Sequence, residues 1–388
     1  MREYIVAFDG EWRHFFIKQN VGLCHRKKDG FKFSDYRVLL KGAESDFCVY
    51  ATEKNIHIVC QDTNGSVLYL IYDGVSWKKI TLLESKSAKP YEKNFTIISM
   101  AGYINLLYVI ENKERFALVH HTLIEGNGPT IVDYIKKDEV PFFATKGEET
   151  DFTLFYTNEE GVSGKRLYKW SQKAYQDFLP LSLKNINIKF AQKDNGEKLS
   201  LVFTKKTENI RSLIYARADE DMNISEEFPV YLDCKENIVP VMSHYGEKEY
   251  IVWSEYGSVM TSYIDKSGRW SKPVRYAKSS TGEAVLYEIC KDGKYEYFYG
   301  MPREHDIILY GTHDILKAPP NSSNGNNFKK MESVPPETLK EQAEHIKRLY
   351  EELSSQKKIL QELAARLETI ISCVPIADEE DIDKILLS

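Results

Sequence analysis

Cysteine is scarce in this 388-residue chain, and no two of the six residues (Cys24, Cys48, Cys60, Cys234, Cys290 and Cys373) stand in a CxxC spacing. A disulfide scaffold and a cysteine-based zinc site are therefore not indicated, and the cysteines, mostly set in apolar strand-like runs, read as reduced packing residues. Nor is there an apolar run of membrane-spanning length, and Met1-Arg2-Glu3-Tyr4 leads directly into a strand pattern without the apolar stretch of a secretion signal. A soluble chain without membrane contact is expected, cytoplasmic or exported by a signal-free route. One-signed charge is lacking too: the net charge of -6 is spread out, with Lys and Arg interleaved among Asp and Glu, so no basic stripe invites nucleic acid. Gly-x-Gly-x-x-Gly, the phosphate loop, Gly-x-Ser-x-Gly and zinc-ligand spacings are all missing. No cofactor or metal is expected, and nothing in the chain demands a reaction chemistry.

What is present is repetition. An apolar and aromatic strand core returns near Phe16, Ile58, Tyr108, Phe155, Val202, Trp253 and Phe298, at gaps of 42 to 51 residues, which is the period of a propeller blade. The second recurrence is the clearest. Four β-branched and aromatic runs, 46–51, 56–60, 67–72 and 77–83, are separated by the turn-forming stretches Glu53-Lys54-Asn55, Asp62-Thr63-Asn64-Gly65 and Asp73-Gly74. A second landmark, an aromatic 10 to 14 residues further on in several recurrences, is supplied by Tyr72, Tyr168, Tyr215, Tyr263 and Tyr310. A four-stranded sheet of this kind cannot bury both faces alone, so neighbouring sheets must stack, and radial closure protects their edges. The expectation is an all-β, seven-bladed β-propeller over residues 1–316, its ring closed by a terminal strand from Arg2 to Phe8 or without one.

Residues 317–336 are rich in proline, glycine and asparagine and read as a flexible linker, about 25 Å across on average. Beyond it the text turns helical. Thr338 followed by Glu341 forms a capping-box pattern. Leu339, Ile346, Leu353, Leu360 and Leu367 recur every seven residues, with Leu349, Leu363 and Ile370 sharing the companion seam with Gln342 and Gln356. That is a C-terminal α-helical coiled coil over 337–374, on the order of 48 Å long, and it predicts a homo-oligomer. Residues 375–388 form an acidic tail.

Two turns combine a carboxylate with a ring: Asp73-Gly74-Val75-Ser76-Trp77, and Asp265 followed by Gly268-Arg269-Trp270. Asp73, Trp77, Asp265 and Trp270 are the candidate ligand contacts, since a flat ring beside hydrogen-bonding carboxylates suits a sugar, whose faces are apolar and whose rim is polar. The packing alternative gives each tryptophan an inter-blade role. These turns resemble those of the Asp-box, sialidase-like and fucose-lectin-like propellers, whose blades carry Gly-x-Trp or Gly-x-x-Trp turns. The resemblance covers two of the seven recurrences and points to no single family. The full Ser-x-Asp-x-Gly-x-x-Trp box is not met, because Ser262 stands three residues before Asp265 and the glycine follows by three. WD-repeat and kelch punctuation is missing altogether.

A sialidase-like hydrolase would further require arginines such as Arg13, Arg115, Arg211 and Arg217 to converge with a carboxylate acid and a nucleophile. Asp9, Glu11, Asp46 and Asp151 read as solvated turn residues, and the adjacent His120 and His121 as pointing to opposite strand faces. Two functional readings follow. The first is a non-catalytic recognition or scaffold protein whose heads, gathered on a stalk, bind a protein assembly or glycan surface multivalently. The other is a carbohydrate-active propeller, either lectin or glycosidase.

Overall fold

The computed structural model describes residues 2–30, 32–85, 90–112, 115–123, 128–136, 141–146, 151–193, 198–235, 237–245, 248–264, 268–276, 284–291, 293–310 and 316. Contacts divide the chain into Met1–Ser323 and Asn324–Ser388. The expected coiled coil and tail, with every seam residue from Leu339 to Ile370, lie outside the described residues.

Almost everything described is strand; one 3-10 turn, Trp170–Gln172, interrupts it. The strands form consecutive antiparallel units, numbered 1 to 7 along the chain. Unit 1 consists of Arg2–Phe8, Glu11–Lys18 and Gly22–Asp29, with Lys32–Phe33 and Arg37–Lys41 both paired to its third strand. Unit 2 runs Ala43–Ala51, Ile56–Asp62, Val67–Tyr72 and Trp77–Leu83, and unit 3 runs Thr96–Met100, Tyr103–Asn112, Arg115–Thr122 and Thr130–Ile135. Unit 4 is Phe142–Lys146, Asp151–Thr157 and Ser163–Lys169, its fourth strand split into Ala174–Tyr175 and Leu179–Pro180. Unit 5 is Ile186–Lys193, Leu199–Thr207, Ile210–Ala218 and Ile224–Leu232, and unit 6 is Val241–Tyr245, Lys248–Glu255, Ser258–Tyr263 and Val274–Arg275. Among the described residues, unit 7 is Val285–Lys291, Lys294–Pro302 and Ile307–Leu309. All the repeat landmarks from Phe16 to Phe298 fall in the second strand of a unit.

The tight turns explain how each unit folds locally. Asp9 and Gly10 both take positive φ (52° and 72°), as do Tyr256 and Gly257 (51° and 69°), the mirror-image turn whose twist matches that of two antiparallel strands. Gly164 has a different reason to be glycine. A Cβ there would lie 2.4 Å from the Leu179 carbonyl oxygen and 2.6 Å from the Phe178 ring, where the split fourth strand crosses over it. Gly164→Ala is therefore expected to cost about 1–3 kcal/mol, read as a lower thermal midpoint; an unchanged midpoint would show that the crossing yields freely.

Burial runs around the ring. Tyr4, Val6 and Phe15 of unit 1 pack with Phe47 and Val49 of unit 2, and Ile58 and Leu70 continue that cluster to Phe95 and Tyr108 near and within unit 3. Leu107 and Leu118 meet Phe152 and Tyr168 of unit 4; Phe155 meets Leu201 and Phe203 of unit 5; Leu213 and Tyr215 meet Trp253 of unit 6, which continues to Leu286 and Tyr299 of unit 7. Finally Ile5 and Trp12 of unit 1 pack with Tyr287, Phe298 and Ile307 of unit 7. Stacked in sequence and returning to the start, these sheets make a β-propeller. The five described cysteines are buried in it as free thiols.

Closure uses the chain's first strand. Arg2–Phe8 pairs antiparallel with Glu11–Lys18 and also in parallel with Val285–Lys291, from Arg2 opposite Leu286 to Val6 opposite Cys290. Units 1 and 7 consequently share one eight-stranded sheet, and the described strands are hydrogen-bonded into six sheets. A buried polar network pins this seam. The Arg26 Nε–H donates to His14 Nδ1 (3.0 Å), and His14 Nε2 lies 2.7 Å from Glu3 Oε2. Since arginine can only donate, His14 carries its proton on Nε2 and gives it to Glu3. The Arg26 guanidinium also reaches the carbonyls of Arg303 and Glu304 in unit 7. Backbone joins in through the Phe33 N–H, which donates to the His305 carbonyl (2.9 Å).

Candidate functional site

The sequence-predicted turn residues occupy two separate places. Asp73 caps its own turn, its Oδ1 accepting from the backbone N–H of Val75 (3.0 Å) and Ser76 (2.8 Å), and these donors hold its carboxyl below the usual range. Trp77 lies 5.0 Å from Tyr72 within unit 2 and 6.3 Å from both Phe15 and His25 of unit 1, ring centre to ring centre. Trp270 of unit 6 lies 4.9 Å from Tyr215 of unit 5. Both tryptophans thus bridge adjacent units, and the two turns, in units 2 and 6, do not converge. Asp265 lies outside the described residues.

The four arginines do not converge either. Arg13, buried in unit 1, places its guanidinium over Phe8 (5.2 Å) and Tyr72 (4.8 Å). Arg115 makes a two-pronged pair with Glu159 (2.6 Å each). Arg211 and Arg217 stand on one strand of unit 5, near its two ends, and Arg217 lies 3.7 Å from Glu226. His120 points toward unit 4, its ring 4.8 Å from Tyr168, with Nε2 2.9 Å from Asn105 Oδ1. Asp46 departs from the expectation of a solvated turn carboxylate. It sits inside the strand Ala43–Ala51 and accepts the backbone N–H groups of Lys93 and Asn94, tying unit 2 to the segment that leads into unit 3; burial pushes its pKa up to about 6 against the opposing pull of those donors.

Two cavities carry site-like chemistry. The first lies on the axis, where the first strands of all the units approach one another. Tyr4, Tyr50, Ile97, Phe143, Phe190, Val241 and Leu286 each line it from a different unit. It holds about 100 Å3. Unit 7 also sends its second strand to this axis, where the alternation Tyr295, Tyr297 and Tyr299 presents one face. The Tyr295 hydroxyl donates to the Val49 carbonyl of unit 2 (2.6 Å), and that of Tyr299 to the Val239 carbonyl beside unit 6 (2.6 Å). Tyr297 stands 5.6 Å from Phe190, which is 4.8 Å from Phe143. Charge enters through Arg2 and Glu288, paired at 3.3 Å, and through Lys146 and Lys189. The strand bearing Lys189 slips register between Ile188 and Phe190; such a bulge re-aims side chains, which lets both Lys189 and Phe190 line the cavity. Sequence reasoning passed over this site. Its signal was the Tyr-x-Tyr-x-Tyr alternation at 295–299, hidden inside a run taken only as a strand core.

The second cavity, about 540 Å3, opens between units 4 and 5. Its walls alternate amides (Asn185, Asn187), hydroxyls (Thr157, Thr204) and charges of both signs (Lys206, Glu208, Arg211), with Pro141 and Ile186 as apolar patches. The hairpin ends place these groups. Thr157 Oγ1 and Ser163 Oγ lie 2.8 Å apart, the Ser163 hydroxyl donates to the Ile186 carbonyl, and the Lys206 N–H donates to the Asn185 carbonyl (3.0 Å).

No family model matches the chain, and no curated protein matches it. Solved structures do. The BP39L lectin from Burkholderia pseudomallei is similar over 79% of this chain and 97% of its own, with 8% identity and a TM-score of 0.54, a likeness of fold. The Aleuria aurantia lectin in complex with alpha-methyl-L-fucoside is 12% identical and aligns over 72% of this chain and 96% of its own, TM-score 0.42. A polysaccharide lyase of family PL25, an ulvan lyase, is 10% identical over 79% of this chain and 90% of its own, TM-score 0.49. The likeness to propeller lectins is one of architecture, without a specific family.

Proposed function

We propose that this chain is a seven-bladed propeller whose function is to bind carbohydrate, with the cleft between units 4 and 5 as the binding site. The observation that carries the reading is the makeup of that cleft. A sugar rim is a ring of hydroxyl groups that both donate and accept, and the cleft offers amide, hydroxyl, ammonium and carboxylate groups side by side over about 540 Å3, within the usual size of small-ligand sites. The fold shared with a protein named a lectin supports it. The turn pairs Asp73 with Trp77 and Asp265 with Trp270 stand as further sugar contacts under the same reading.

A glycan array with the intact chain tests this. A bound glycan class is expected, and Lys206→Ala or Glu208→Ala should weaken binding at least tenfold, about 1.4 kcal/mol, while leaving the thermal midpoint in place, since both side chains are exposed. No signal with millimolar glycan, or variants that bind like the parent, would retire the proposal. The heptad pattern of 337–374 adds a second proposal, that a coiled coil gathers several heads for display on a repetitive surface. Apparent affinity on the array should then climb steeply with glycan density; a flat density response would count against gathering.

A further inference from the structure

The cleft between units 4 and 5 has an apolar margin that its polar walls do not account for. Ile210 closes a hairpin opposite Thr207 and stands in sequence between two cleft-lining residues, Glu208 and Arg211. It is 54% exposed, and Leu232 is 64% exposed. The two are neighbours. Along the strand Ile210–Ala218, alternation puts Ile210, Ser212 and Ile214 on one face. Leu232 lies directly opposite Ser212 on the adjoining strand, so Ile210 and Leu232 stand on the diagonal, roughly 7–8 Å apart. That face looks toward unit 4, because Ile214 belongs to one cluster with Phe155. Leu183, half-buried in the link from unit 4 to unit 5, packs against the same cluster. Single apolar side chains scattered on a surface need no explanation. Two adjacent ones at the margin of a polar cleft leave apolar surface in water that a ligand seated in the cleft can cover. Size selects the occupant. Two side chains offer far less than the roughly 800 Å2 per partner of a stable protein interface, so neither a second copy nor a docked protein fits, whereas one ring or a short alkyl chain does. Continuity with the cleft says what that group is attached to.

We propose that the cleft takes a glycoside with an apolar aglycone, its sugar set among the polar walls and its aglycone, an alkyl chain or an aryl ring, laid on Ile210 and Leu232. This inference rests on the carbohydrate reading of the cleft and narrows it from sugars in general to sugars joined to an apolar group.

The test uses the full chain with the methyl, octyl and p-nitrophenyl glycosides of glucose, galactose, mannose, fucose and N-acetylglucosamine, the octyl compounds kept below the concentration at which they form micelles. For the sugar that binds, calorimetry should show the octyl or the p-nitrophenyl glycoside at least tenfold tighter than the methyl glycoside, and the larger of the two gains tells an alkyl from an aryl aglycone. Ile210→Ser and Leu232→Ser should each remove most of that gain with no change in thermal midpoint, since both side chains are exposed. Lys206→Ala should weaken all three glycosides alike. Ile80→Ser, an equally exposed position on the outer strand of unit 2, should keep the gain. The inference alone is overturned if methyl glycosides bind as tightly as their longer partners, if Ile210→Ser and Leu232→Ser together keep the gain, or if octanol or p-nitrophenol without a sugar binds as tightly as the glycoside. Absence of binding by every glycoside up to about 10 mM, a range that covers any specific small-ligand site, overturns the carbohydrate reading and this inference with it.

Discussion

Arg26→Ala is expected to loosen the seam between units 1 and 7 more than any other single polar change. Its guanidinium reaches His14 Nδ1 and the carbonyls of Arg303 and Glu304, and with it gone the buried Glu3 carboxylate is left with the neutral partners His14 and Tyr287. Removing one member of a buried charged network costs about 3–5 kcal/mol, roughly 10 °C in thermal midpoint for a domain of this size. Hydrogen exchange should quicken first along Arg2–Phe8 and Val285–Lys291, whose parallel pairing joins the two ends of the ring. Arg26→Lys keeps the charge without the fork and should fall between. A midpoint within about 2 °C of the parent, or exchange that quickens evenly around the ring, would show that apolar packing alone holds the seam.

Acid should destabilise the fold by a comparable amount. Burial, the leading cause in each case, lowers the pKa of His25, His57 and His120 from 6.5 to about 4, and that of His14 downward as well. Below pH 6.5 the unfolded chain takes up protons at these residues that the folded chain refuses until about pH 4. The stability they contribute is therefore complete above pH 6.5 and is lost as the pH falls toward 4. At pH 4.5 the loss is about 2–3 kcal/mol for each of the three. Asp46 acts with the opposite sign. Its raised value of about 6 means that the folded state binds its proton more tightly, a stabilisation present in acid and lost as pH rises through 6, and it returns about 2 kcal/mol at pH 4.5. The net fall is about 5 kcal/mol, a large part of ordinary domain stability. Urea midpoints at pH 7.5 and 4.5 measure it. His120→Gln, which keeps a donor for Asn105, should shrink the difference by one residue's share; equal midpoints at the two pH values would sink the account.

The repeat and its strands were legible in sequence because each residue of a strand declares its face by alternation, and turns such as Asp73-Gly74 announce themselves by residue type. The runs 46–51, 56–60, 67–72 and 77–83 correspond closely to the observed strands of unit 2. The split fourth strand of unit 4 was not visible, since it depends on how the chain passes over Gly164. The candidate turns could be named, yet their rings proved to face neighbouring units, a matter of which sheets stack.

By itself, then, the sequence determined the strand period, the turns and the all-β class, since these follow from local alternation and backbone preference. Only the tertiary structure decided that the first strand zips to Val285–Lys291, that Tyr295 and Tyr297 reach the axis beside Lys189, and that Thr157 of unit 4 faces Lys206 of unit 5 across a cleft. Those neighbours stand tens to hundreds of residues apart in the chain, and no local pattern encodes which unit a side chain will meet until the ring has closed.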